Sequence, residues 1–156
     1  MPSNRRTFIK QSLVAGAYAS LISNGLFKST KTQAAWIAEN FSPATLTDTL
    51  QKIYRNAEII DSEAIALKLP RVAENGAVVP VTVTSSLPNV NEITLFVAKN
   101  PTPLSISFKL SPVMDAFVST RIKMAETCNV IAVVNSEGKL YKARKEVTVT
   151  IGGCGG

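Results

Sequence analysis

The chain has 156 residues, 46 % of them apolar and 18 % charged, with two cysteines and no histidine. Without an imidazole, Ser–His and Cys–His catalysis are excluded, along with the commonest metal ligand, and two cysteines alone do not build a zinc site within one chain. The net charge of +6 is not a nucleic-acid footprint: Arg5, Arg6, Lys10, Lys28 and Lys31 fall within residues 1–34 with no Asp or Glu, so 12 basic residues face 11 acidic ones in the remainder.

Asn4-Arg5-Arg6-Thr7-Phe8-Ile9-Lys10 opens a basic segment with paired arginines. A small-residue apolar stretch follows from about Leu13 to Ile22, too short to span a bilayer, and Gln33-Ala34-Ala35 offers a small-residue cleavage region. Residues 1–34 are expected to be a twin-arginine export signal, which places the rest in the periplasm without stable membrane association. Residues 35–151 then suffice for one domain with a modest core.

Ser42-Pro43 reads as an N-cap followed by proline in the first turn, with Leu46, Leu50, Ile53 and Tyr54 at helical spacing. One short helix is expected over about 44–55. Everything after it alternates with period two. Ile65, Leu67 and Leu69 form one stripe, and Val79, Val81 and Val83 another after the turn at Asn75-Gly76. Pro80 lies in that second strand and cannot donate to a ladder, so an edge position is expected. Ile93, Leu95 and Val97 come next. Asn100-Pro101-Thr102-Pro103 breaks the pattern before Leu104, Ile106, Phe108 and Leu110. After Ser111-Pro112, Ala116, Val118, Thr120 and Ile122 face one way and Phe117, Ser119 and Arg121 the other. Residues 128–134 are apolar on both faces, and Ser136-Glu137-Gly138 turns into a last strand, 139–151.

Seven short strands with regular turns predict a mainly β fold: an immunoglobulin-like antiparallel β-sandwich with one short N-terminal helix and a flexible Gly-rich tail. Phe96, Phe117, Ile131 and Val133 point away from the inferred core. They are read either as covered by the helix or as a partner interface. Lys139, Lys142, Arg144 and Lys145 form a basic run, read either as a solvated strand face or as a means of steering an anion or acidic partner toward the tail.

That tail is Gly152-Gly153-Cys154-Gly155-Gly156. Glycines have no side chain to bury and lose much entropy on ordering, so this reads as a swinging arm of residues 152–156. At about 3.3–3.6 Å per residue, three residues carry Cys154 roughly 10 Å beyond Ile151. Its thiol is the one group with evident chemistry, since no phosphate loop and no carboxylate pair stand out. No Lys or Arg adjoins Cys154 in sequence, so its activation is expected to come from the active site it enters. Three other uses stay open: a Cys128–Cys154 staple, an intermolecular disulfide in a structural or adaptor sandwich, and a thiol–disulfide oxidoreductase. Cys128 begins an inward-facing stripe and reads as a buried thiol.

The Gly-Gly-Cys-Gly-Gly ending on an exported β-sandwich resembles the SoxY family, the substrate-carrier subunits of bacterial sulfur oxidation. The resemblance extends through Leu69–Val83, Val97–Pro103, Val118–Ile122 and Val147–Gly156. It implies a non-enzymatic carrier that needs no cofactor or metal and holds thiosulfate-derived sulfur covalently on Cys154. Gly152, Gly153, Gly155 and Gly156 would let the loaded arm thread narrow channels. The implied partners are a SoxZ-like subunit in a heterodimer, a SoxAX-type cytochrome that attaches thiosulfate, and a SoxB-type hydrolase that releases sulfate; the remaining sulfur would be oxidised by a SoxCD-type dehydrogenase, or passed on where that enzyme is missing.

Overall fold

The computed structural model describes residues 38–151. The expected export signal, 1–34, lies outside them. A short 3-10 turn, Ala38–Phe41, precedes helix α1, Leu46–Tyr54. The helix starts later than the sequence suggests. Thr45, not Ser42, is the N-cap: its hydroxyl accepts from the Asp48 N–H at 3.1 Å and donates to the Asp48 carboxylate at 2.7 Å. This reciprocal arrangement satisfies an orphan helix donor better than the Ser42-Pro43 pair could from further out. The helix ends at Arg55, a left-handed C-cap whose N–H returns to the Gln51 carbonyl.

Nine strands follow: β1 Ile59–Asp61, β2 Ile65–Lys68, β3 Val72–Ala73, β4 Val79–Ser85, β5 Val90–Val97, β6 Leu104–Lys109, β7 Phe117–Ile122, β8 Cys128–Ser136 and β9 Lys139–Val149. They form two sheets. The larger runs β1-β9-β8-β5-β6, with β3 also paired to β9; the smaller runs β2-β4-β7. The period-two stripes meet between them as one core of Val79, Val81, Val83, Ile93, Leu95, Val97, Val118, Ile122, Cys128, Val130, Ala132, Val134 and Val147. The expected mainly β, immunoglobulin-like sandwich is the fold. The pairings predicted from the alternation are antiparallel, but β1 and β3, which the sequence did not reveal, both run parallel to β9.

Pro80 departs from expectation. Its strand is the central one of the small sheet, not an edge. However, the β2–β4 ladder stops at Lys68↔Thr82, so at Pro80 only β7 lies alongside, opposite Arg121. The missing donor falls where β4 is paired on one side only, which is how a proline is tolerated there.

The outer face of the large sheet is also apolar. Phe96, Leu104, Ile131, Val133 and Leu140 form a second buried cluster, covered by Phe41, Leu46, Leu50, Ile53, Tyr54 and Ile59. The helix therefore covers Phe96, Ile131 and Val133, and the Tyr54 ring meets Phe96 edge-on at 6.2 Å. Phe117 is the exception: it sits on the other sheet and is 54 % exposed. Leu104 belongs to this helical side, not to the stripe of Ile106 and Phe108. A register shift between Leu95 and Phe96 pairs Phe96 with Leu104 while Leu95 pairs with Ile106. That irregularity places one extra residue, Ser105, in β6 and switches the face.

Candidate functional site

The group expected from the sequence to react is the Cys154 thiol. Cys154 and its flanking Gly152, Gly153, Gly155 and Gly156 lie outside the described residues, which end at Ile151. The structure does describe the root from which those five residues leave.

The root is the end of β9, and it is clamped. The Thr150 N–H donates to the Ala73 carbonyl at 3.1 Å, and the Gly76 N–H donates to the Ile151 carbonyl at 2.7 Å. The Thr150 hydroxyl donates to the Glu74 carbonyl at 2.8 Å. On the other side the Val149 N–H donates to the Thr127 hydroxyl at 2.9 Å. Asn75 orders the loop that does the clamping: its side-chain carbonyl accepts from the Ala77 N–H at 2.8 Å, an Asx turn that leaves the Gly76 backbone free to bond outward. The expected strand 139–151 thus ends as a ladder at Val149, yet its last two residues remain tied down. Around this root Val72 and Ile151 are exposed apolar side chains.

The basic run on β9 is not one surface. Lys139 and Lys145 share the strand face of Tyr141, Ala143 and Val147, which packs toward the sandwich core. Lys142 and Arg144 share the opposite face with Leu140. Lys142 lies 3.7 Å from the Asp61 carboxylate, and the Lys145 ammonium donates to the Leu69 carbonyl at 3.0 Å. Lys139 is ten residues from Val149, roughly 33 Å along an extended strand. The four cations therefore create no single field at the root.

Cys128 is a free, buried thiol, 4 % exposed, opposite Val147 in the β8–β9 ladder. Burial pushes its pKa up, against the smaller lowering effects of the Lys99 and Ala98 backbone N–H groups and the Lys99 charge. A neutral thiol packed among valines is a poor nucleophile. Among the described residues, no three His, Cys, Asp or Glu side chains are grouped as metal ligands would be, and no helix is long and apolar enough to cross a membrane.

A feature that the sequence reading missed adjoins the root. The Met124 N–H donates to the Gly76 carbonyl at 2.7 Å, so the chain just after β7 lies beside the clamp. There a groove of about 430 Å³ opens between the edge strands β6 and β7, lined by Asn100, Thr102, Ser105, Arg121 and Lys123 over Ile106 and Ile122. Arg121 and Lys123 are spaced two apart, which was a sequence signal, but only the pairing of two sheets brings Ser105 opposite them.

Comparison with known proteins places this architecture. Residues 50–154 match the family model described as sulfur oxidation protein SoxY. No curated protein matches. Among solved structures, the sulfur carrier protein SoxY from Chlorobium limicola f thiosulfatophilum is 44 % identical with a TM-score of 0.62, over 69 % of this chain and 97 % of that one. A superoxide reductase (neelaredoxin) from Ignicoccus hospitalis, 16 % identical with a TM-score of 0.52, matches 58 % of this chain and 94 % of its own, a likeness of fold alone.

Proposed function

The chain belongs to the SoxY family of sulfur oxidation proteins, and on that premise we propose that it is a periplasmic carrier holding sulfur intermediates covalently on Cys154. The observation that supports this most is the clamped root. A carrier needs a firm scaffold up to a defined point and free reach beyond it. The hydrogen bonds of Thr150 and Ile151 supply the first, and four glycines around one thiol supply the second.

In this reading the oxidation that attaches thiosulfate is done by a partner, a SoxAX-type cytochrome that accepts two electrons. The Cys154 thiol loses its proton, and a sulfur–sulfur bond forms to the sulfane end of thiosulfate. A SoxB-type hydrolase then uses water to release sulfate, and a SoxCD-type dehydrogenase oxidises the sulfur left behind. This chain contributes no catalytic group and no cofactor. Its role is to tether and present, with a SoxZ-like subunit as its stable partner. Export by the twin-arginine route of residues 1–34 would deliver it folded to the periplasm.

The free, buried Cys128 weighs against both the staple and the dithiol oxidoreductase, since each requires Cys128 to reach Cys154. The test is intact-mass spectrometry during turnover with thiosulfate and the partner enzymes. Adducts are expected on the peptide containing Cys154, and none in Cys154→Ala. An unmodified Cys154 under active turnover would overturn the carrier reading.

A further inference from the structure

We propose that the groove between β6 and β7 is a binding site for a small tetrahedral oxyanion of the sulfate and thiosulfate class. Arg121 and Lys123 stand two residues apart on one side of the chain, about 7 Å from each other, a separation that one anion can bridge. Among the described residues neither has a carboxylate partner, whereas Lys99 is engaged with Glu126 and Lys142 with Asp61. The wall that carries Lys123 is fixed. The Asn100 amide donates to the Lys123 carbonyl at 2.8 Å, and its oxygen accepts from the Ala125 N–H at 2.9 Å. Across the groove, the Ser105 hydroxyl has no protein partner among the described residues and is free to donate to an anion. Ile106 and Ile122 form an apolar floor, which lowers the local dielectric and strengthens attraction between a cation and an anion above it. None of the lining residues is aromatic, so nothing there would stack a base, and the site suits a compact, highly charged ion better than a nucleotide.

From Ile151 to Gly76 to Met124 is two backbone hydrogen-bonded steps of about 4.8 Å each, so Met124, next in sequence to the groove-lining Lys123, lies within roughly 10 Å of the root. That equals the reach of Cys154 beyond Ile151, about 10 Å. The oxyanion thus has two sources: a free ion, or the charged end of an adduct on Cys154. The second rests on the carrier reading; the first does not.

The test begins with sulfate and thiosulfate titrated into isotopically labelled Cys154→Ala protein, against chloride at equal ionic strength, with amide shifts as the readout. Saturable shifts are expected at Ser105 and at 121–123, with a dissociation constant of about a millimolar. The double variant Arg121→Gln/Lys123→Gln should keep its other amide positions and bind at least about tenfold more weakly. Linear, non-saturating shifts, or shifts unchanged in the double variant, would reduce the effect to general salt and overturn the proposal. The source is distinguished by treating the unsubstituted protein with tetrathionate, whose attack by the Cys154 thiolate places –S–SO3⁻ on the sulfur and releases thiosulfate. After removal of that ion, the same shifts identify the arm as the source. Unshifted amides in loaded protein, with free sulfate still binding, identify the free ion. If Cys154 accepts no adduct, the carrier reading fails while the sulfate titration stands.

Discussion

Replacing Phe96 with alanine tests whether the helix is a structural part of the domain or merely an attachment to it. Phe96 is fully buried on the outer face of β5, between Leu104, Ile131 and Val133, with Tyr54 of α1 edge-on above it. The Phe→Ala change costs about 3–5 kcal/mol where the site cannot collapse. Here β5 and β8 hold the floor rigidly, but a nine-residue helix can sink a little toward the void. The lower end of that range, about 3 kcal/mol, is therefore expected. In a domain of this size it should lower the melting temperature by about 10 °C or more. Phe117→Ala is the control, because that ring is 54 % exposed on the other sheet and its loss should cost within about 0.5 kcal/mol. Urea unfolding followed by circular dichroism reads both through the midpoint at unchanged slope. A loss below about 1 kcal/mol for Phe96→Ala, or a larger loss for Phe117→Ala, would refute the helix-covered face.

Two further outcomes follow from buried titratable groups. The Tyr54 phenol is pushed up to about 12, chiefly by burial, while its hydrogen bond with Thr94 lowers it and the Glu92 charge raises it slightly. The folded protein therefore holds this proton more tightly than the unfolded chain does. The resulting stability is complete below pH 10 and lost as pH rises from about 10 to 12, up to about 2–3 kcal/mol. Tyr54→Phe should abolish that alkaline slope at a cost of about 1 kcal/mol at neutral pH; an unchanged slope would show that another group titrates. Cys128, buried and with its thiol pushed up, should be alkylated by iodoacetamide at pH 8 at least about a hundredfold more slowly than Cys154, as read by peptide mass. Comparable rates would mean that the start of β8 opens readily, and Cys128→Ala should leave the loading of Cys154 unchanged.

Much of the fold was legible because most strands alternate cleanly. Val79, Val81 and Val83, and the two-faced run 128–134, report one-sided and two-sided burial directly. The Ser136–Lys139 turn was legible for the same kind of reason: Glu137 and Gly138 both take positive φ, as a two-residue hairpin between right-twisted strands requires. The illegible parts depend on long-range partners. β3 is two residues long and exists because β9 runs alongside it. Pro80 looked like an edge residue because its sequence cannot show how far β2 extends. The switch of face at Leu104 comes from one added residue in a ladder, which no stripe of apolar residues announces. At the candidate site, the thiol and its glycines were evident from residue type, whereas the clamp on Ile151 arises where segments more than 70 residues apart meet, and the groove arises where two strands of different sheets come together.

The way β9 is held also bears on how the molecule withstands force. An enzyme drawing the arm into a channel would tug on β9 along its own axis. Pairing with β8 runs from Cys128↔Val147 to Ser136↔Lys139, and β1 and β3 grip the other edge at its two ends. Those bonds lie across the pull and are stretched together, in shear, instead of opening one after another like a zipper. The tie from Ile151 to Gly76 takes the strain first and those from Thr150 to Ala73 and Glu74 follow, so a pull on the arm meets bonds loaded in parallel before it reaches the core.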